Sequence, residues 1–235
     1  MHIIPVMDLL DGVVVHAIKG ERTHYQPIVS RLSSSSKPID IVKGFMDVYP
    51  FKTLYIADLN AIQQHQQDRF NHQVILEILE QFPNLQLWLD AGLNIFDASF
   101  DNIRKLVQPI LGTENFKNLS AYLNATEKFK RPHSLSIDFM ANGYQGPLEL
   151  LETSSNWPND IVVMSLTHVG SNAGANTSIF KSLPIKSHHR IYAAGGVRNI
   201  DDLCVLKSHH IHGALIATAL HLKQLGRKEL ETLQA

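Results

Sequence analysis

Cysteine is nearly missing from the sequence, which holds one, Cys204. An internal disulfide framework is therefore excluded, and a reducing cytoplasm is the expected compartment. Cys204 follows Asp-Asp-Leu in an expected helix, where it reads as a small core filler. A surplus of either charge is missing too. Lys and Arg number 21 and Asp and Glu 22, so the net charge is -1 and neither nucleic acid nor a membrane surface is an expected partner. No apolar run approaches the roughly 20 residues that cross a bilayer, and no charged-then-apolar leader precedes the first expected strand. Nor does a Gly-x-Gly-x-x-Gly follow any strand, which argues against a dinucleotide-binding sheet. Apolar material is plentiful: 44% of the 235 residues are hydrophobic, enough for a substantial core.

That material is distributed in alternation. Short runs rich in Val, Ile and Leu, apolar on both faces, read as buried parallel strands at 3–8, 53–58, 86–90, 107–111, 134–138, 160–166, 190–194 and 212–217. Helical patterns lie between them at 38–49, 72–82, 97–106, 115–130, 147–154, 176–182, 200–208 and 218–224. In the clearest of these, Val74, Ile75, Ile78, Leu79 and Phe82 share one face. The terminal KELETLQA is expected to complete the eighth helix, and VVVHAI at 13–18 to fold back as a hairpin arm after Asp11-Gly12. Four serines at 33–36 sit in a segment, 30–38, that reads as a mobile loop able to act as a lid. Eight strand–helix units make an α/β (β/α)8 TIM barrel the expected fold, with an open doubly wound sheet as runner-up.

The sequence also repeats itself weakly. Asp8 matches Asp138, DAGLNIFD at 90–97 matches AGGVRNID at 194–201, and LGT at 111–113 matches IAT at 216–218. A further match, LYIADL at 54–59 with VVMSLT at 162–167, sets Leu166 opposite Asp58. The shared order points to one barrel domain built from two (β/α)4 half-barrels, about 1–130 and 131–235.

Strands one and five of such a barrel are diametrically opposed. Asp8 and Asp138, at their C-terminal ends, are then expected to face each other across the mouth as general acid and base. Gly195-Gly196, followed by a helix, offers backbone N–H groups to an anion, and Thr218 adds a hydroxyl. The matching positions Gly92, Gly112 and Thr113 suggest a second phosphate site, and Asp58 a further polar residue at the mouth. Each aspartate alone reads equally well as a turn former or helix cap, and Gly195-Gly196 as a tight turn. The thirteen histidines concentrate before strands seven and eight, at 187–190 and 208–212, where a surface role outweighs metal binding.

The segments IIPVMDLLDGVVV, LYIADLNAI, LGTENF, LSIDFMANG, YAAGGVRNIDDL and HGALIATAL resemble, in order, the barrels of histidine biosynthesis, and most closely their ProFAR isomerase branch. The resemblance implies an isomerase that needs no cofactor and no metal. Its substrate is a small phosphorylated metabolite, converted from aminoaldose to aminoketose by an Amadori rearrangement. Asp8 would be the base at sugar C2 and Asp138 the acid that opens the ribose ring. Gly195, Gly196 and Thr218 would hold one phosphate, and Gly92 and Thr113 the other. The chain departs from the family at His16, where Arg or Lys is usual, at Asp90 before the strand-three glycine, at Leu166 where strand six ends in Asp, and at Ala217-Thr218 in place of Gly-Arg. Those departures imply a diverged paralogue acting on a related phosphorylated compound. The alternatives are the ProFAR reaction itself, a non-catalytic metabolite binder, or an enzyme of another cofactor pathway. A monomer or weak oligomer is expected.

Overall fold

A computed structural model describes residues 1–17, 24–63, 70–129, 131–165 and 177–234. The chain runs β1 (His2–Leu10), β2 (Val13–Val15), α1 (Pro38–Val48), β3 (Thr53–Asp58), α2 (Leu59–Ile62), α3 (Phe70–Gln81) and β4 (Gln86–Asp90). It continues through α4 (Asp101–Arg104), β5 (Gln108–Gly112), α5 (Leu119–Phe129), β6 (Ser134–Met140), β7 (Gly143–Gln145) and α6 (Leu148–Glu152). The last elements are β8 (Asp160–Ser165), α7 (Ser178–Ser182), β9 (Arg190–Ala194), α8 (Ile200–Ser208), β10 (Gly213–Ile216), α9 (Thr218–His221) and α10 (Arg227–Gln234).

Eight strands lie parallel in the order β1, β3, β4, β5, β6, β8, β9, β10, and β10 pairs back onto β1 from His2↔Gly213 to Pro5↔Ile216. This closed α/β barrel is the expected fold. Closure buries both faces of the strands, which is why they read as continuous apolar runs; every residue of β3 is buried. Ile4, Tyr55, Trp88, Ile110, Val162, Tyr192 and Leu215 fill the interior, with Trp88 edge-on to Tyr192 at 4.8 Å between ring centroids. Outward-facing Met7, Ile56, Leu89 and Ile137 join Ile41, Phe45, Ile75, Ile78, Leu203 and Leu206 of the surrounding helices in a second layer.

Two hairpin arms break the alternation at matching places. β2 folds antiparallel onto β1 with Asp8↔Val15, Leu9↔Val14 and Leu10↔Val13, and β7 folds onto β6 with Asp138↔Gln145, Phe139↔Tyr144 and Met140↔Gly143. The parallel ladders agree as well: Trp88↔Gln108 and Asp90↔Ile110 correspond to Tyr192↔Gly213 and Ala194↔Leu215. One detail differs from the expected match. Leu9 pairs with Asp58 while Phe139 pairs with Ser165, so Ser165 rather than Leu166 stands where Asp58 does. Leu166 and the segment 167–172 lie outside the described residues.

Three further expectations are corrected. Cys204 is exposed, because Leu203 and Leu206 turn the inner face of α8 to the core and the next residue rotates outward. The eighth helix is two helices, since Lys223 takes the left-handed conformation at φ 55 and ends the turn after α9. The serine segment is tied down: Ser30, Ser33 and Ser35 accept from the backbone N–H two residues on, and Ser36 O accepts from Val14 N at 2.9 Å. Of the histidine-rich stretches, His209, His210 and His212 are exposed, while His189 is buried against Trp157. No group of three His, Cys, Asp or Glu among the described residues is placed to hold a metal. No helix among them is long and apolar enough to cross a membrane.

Candidate active site

Strands β1 and β6 have three parallel strands between them in either direction around the barrel, so they are opposite walls. Asp8 and Asp138 line one cavity of about 360 Å³ at the C-terminal ends of the strands, the expected convergence. Asp90 and Glu114 line it too, and Tyr55 stands at its floor with its hydroxyl donating to Asp90 Oδ2 at 3.2 Å. Four carboxyl groups thus share one cavity, Asp138 buried and Glu114 exposed at its rim. Burial and the charge of Asp90 raise Asp8 to about 7. Asp138 rises to about 8; burial dominates, Glu114 and Asp90 add to it, and the hydrogen bond from Ser136 opposes it. Burial first, and then Asp90, Asp138 and Asp8, hold the Tyr55 phenol well above its ordinary value.

Asp138 is only 6% exposed and closely held. Ser136 Oγ donates to its Oδ1 at 2.6 Å, and its backbone N–H donates to Thr113 Oγ1 at 3.1 Å. Gly112 leaves room beside it: a Cβ there would stand 3.0 Å from Asp138 Oδ2 and 3.1 Å from Asn115 Nδ2, close enough to press on both side chains. Asp8 is held by its strand partners, Val15 on one side and Ala57 on the other.

Across the cavity, Gly195 and Gly196 adopt φ values of 101° and 84°, conformations that a side chain would strain. They follow β9 and line the cavity together with Ala217 and Thr218 at the start of α9. Arg198, two residues on, is turned aside and paired with Asp202 through both its guanidinium and its backbone N–H. His16 and His221 complete this end. His221 is lowered to about 4, by burial first and then by His16, so it is neutral at pH 7.

The expected second phosphate position looks different. Gly92 has φ 55 like its counterpart Gly196, but its N–H donates to the Asp90 carboxylate at 3.0 Å. Thr113 is 1% exposed, with its hydroxyl donating to Gln145 O at 2.7 Å. Gly112 faces Asp138. The sequence reading gave these three residues to an anion; the structure engages them in holding Asp90, β7 and Asp138.

Asp58 is also placed elsewhere than expected, being buried at 1% and absent from the cavity wall. It caps α2 by accepting from Ala61 N at 3.1 Å and accepts from Asn71 Nδ2 at 2.7 Å. Asn60 and Asn71 in turn accept from the backbone N–H groups of Asp11 and Gly12. The network fixes the turn between β1 and β2, and through it the end of the strand that carries Asp8. The sequence reading missed Tyr55, Glu114 and His221 as cavity residues. Glu114 was the accessible one, directly after Thr113 at a strand end; no local pattern marks Tyr55 or His221.

The fold and the cavity define a (β/α)8 barrel with its polar site at the C-terminal ends of the strands. The model of the histidine-biosynthesis protein family matches residues 2–226, and the chain belongs to that family. An uncharacterized protein of Methanocaldococcus jannaschii is 29% identical over 98% of this chain and 97% of its own length. An imidazole-4-carboxamide isomerase of Clostridium acetobutylicum, named for two 5-phosphoribosyl groups, is 31% identical over 97% of both chains. Its namesake from Aquifex aeolicus is 26% identical over 99% of this chain and 97% of its own.

Proposed function

We propose that the cavity is the active site of an isomerase acting on a small phosphorylated sugar or ribonucleotide-type substrate, with Asp8 as base and Asp138 as acid. The observation that carries this reading is the pair of carboxyls on opposite walls of one cavity, both raised towards neutrality. At pH 7 Asp8, the lower of the two, is the group able to accept a proton, and Asp138 still holds one to give. Asp138 protonates the ring oxygen and opens the sugar, while Asp8 removes the proton from C2 of the resulting imine. The iminium loses its C2 proton to give a neutral enaminol, which gains one proton at C1 and releases its hydroxyl proton in becoming the aminoketose, so electrons are redistributed within the substrate and no redox cofactor enters. The Gly195-Gly196 turn and the Thr218 hydroxyl hold the substrate phosphate.

The matching hairpin registers at Asp8 and Asp138 support descent of the barrel from two (β/α)4 halves. Divergence from the bisphosphorylated chemistry named for the relatives is supported by Asp90, which takes the Gly92 N–H for itself. The reading is tested by incubating the protein with aldose phosphates and aminoaldose phosphates in D2O. Deuterium should enter C1 of the ketose product with the wild type, and Asp8→Asn or Asp138→Asn should slow it by about 10²–10⁴-fold. Undiminished exchange in either variant removes that residue from the mechanism. Failure to rescue an isomerase-deficient histidine auxotroph is the companion result expected; rescue restores the histidine reaction as the function.

A further inference from the structure

The cavity has two unlike ends. At one, among the described residues, Ala194 offers Gly196 no carboxylate, and Thr218 lines the cavity. His16 Nε2, beside His221 in the same wall, is buried and has no hydrogen-bond partner among the described residues. A buried imidazole nitrogen left unsatisfied is a polar group waiting for a ligand. At the other end the same backbone positions are closed. Asp90 stands where Ala194 does, and its carboxylate occupies the Gly92 N–H that would otherwise face an anion. Asp90 and Glu114 together present two carboxyl groups there.

We infer that the cavity takes a phosphate monoester whose far end carries a protonated amine. The Gly195-Gly196 turn, Thr218 and His16 hold the phosphate, and Asp90 and Glu114 hold the amine. The inference rests on the anion placement proposed above and adds the chemistry of the opposite end. A second phosphate is rejected there twice over, because its donor is already engaged and because like charges would meet. An ammonium group finds two carboxylates and loses little by leaving water.

Calorimetric titration of the whole chain with three probes tests this: glucosamine 6-phosphate, glucose 6-phosphate and fructose 1,6-bisphosphate. The amine monophosphate should bind at least tenfold tighter than its hydroxyl analogue, with the bisphosphate weakest. Asp90→Asn should erase the preference for the amine, whereas Thr218→Val should weaken both monophosphates alike. Equal binding of the two monophosphates, or tightest binding of the bisphosphate, overturns the inference. If the monophosphates bind equally and Thr218→Val weakens both, the anion placement stands and only the amine falls. If neither binds, both readings fall. The wild-type comparison decides the matter even if Asp90→Asn does not fold.

Discussion

Replacing Asp138 with Asn should stabilise the protein, and the gain should grow with pH. In the folded chain this carboxyl is raised from 3.8 to about 8, so between those values the native state holds a proton that the unfolded chain has released. The unfolded state then binds fewer protons, and stability falls as pH rises from about 4 towards 8, levelling above it. Between pH 5 and pH 9 the fall therefore runs over roughly three pH units, and at about 1.36 kcal/mol for each it comes to about 4 kcal/mol. Asparagine matches the shape of the protonated acid, keeps an oxygen to accept from Ser136 Oγ, and does not ionise. Its advantage over the wild type should therefore be about 4 kcal/mol greater at pH 9 than at pH 5, or roughly 8–16 °C in Tm for a chain of this size. Thermal or urea unfolding at the two pH values measures this directly, and the pH 5 pair controls for any packing change. An advantage that does not grow with pH refutes the reasoning, because the acid would then sit near its ordinary value in the folded chain. A stability gain accompanied by lost turnover is the signature of a strained functional group.

Two other outcomes follow from the same geometry. Turnover should be bell-shaped in pH, rising as Asp8 loses its proton near 7 and falling as Asp138 loses its own near 8; a plateau from pH 5 to pH 9 would exclude the pair as base and acid. Asp58→Ala should cost about 1–3 kcal/mol by removing the α2 cap and the partner of Asn71, while leaving ligand binding in the folded fraction unchanged, as read by urea unfolding and titration calorimetry.

Much of the barrel was legible because its strands are buried on both faces, and buried strands announce themselves as unbroken apolar runs such as Thr53–Asp58. Asp8 and Asp138 stood out for the opposite reason: each places a carboxylate at the end of such a run, where the fold puts chemistry. What stayed hidden depends on which way a side chain turns within an element. Asp58 and Asp90 both end strands, yet one is a buried helix cap and the other lines the cavity. No local pattern separates them, because the difference lies in Asn71 and Tyr55, partners far along the sequence. Cys204 shows the same limit on a helix, where a rotation of one residue separates core from solvent. Thr113 and Thr218 match in sequence, but Gln145 of the second hairpin arm engages the first.

The most direct measurement is a ¹³C NMR titration of the aspartate carboxyls, with the two resonances assigned from Asp8→Asn and Asp138→Asn. Asp8 is expected to titrate near 7 and Asp138 near 8, and Asp90→Asn should bring both down, because its charge helps to raise each. Two independent titrations in the ordinary carboxylate range, near 4, would contradict a buried acid–base pair.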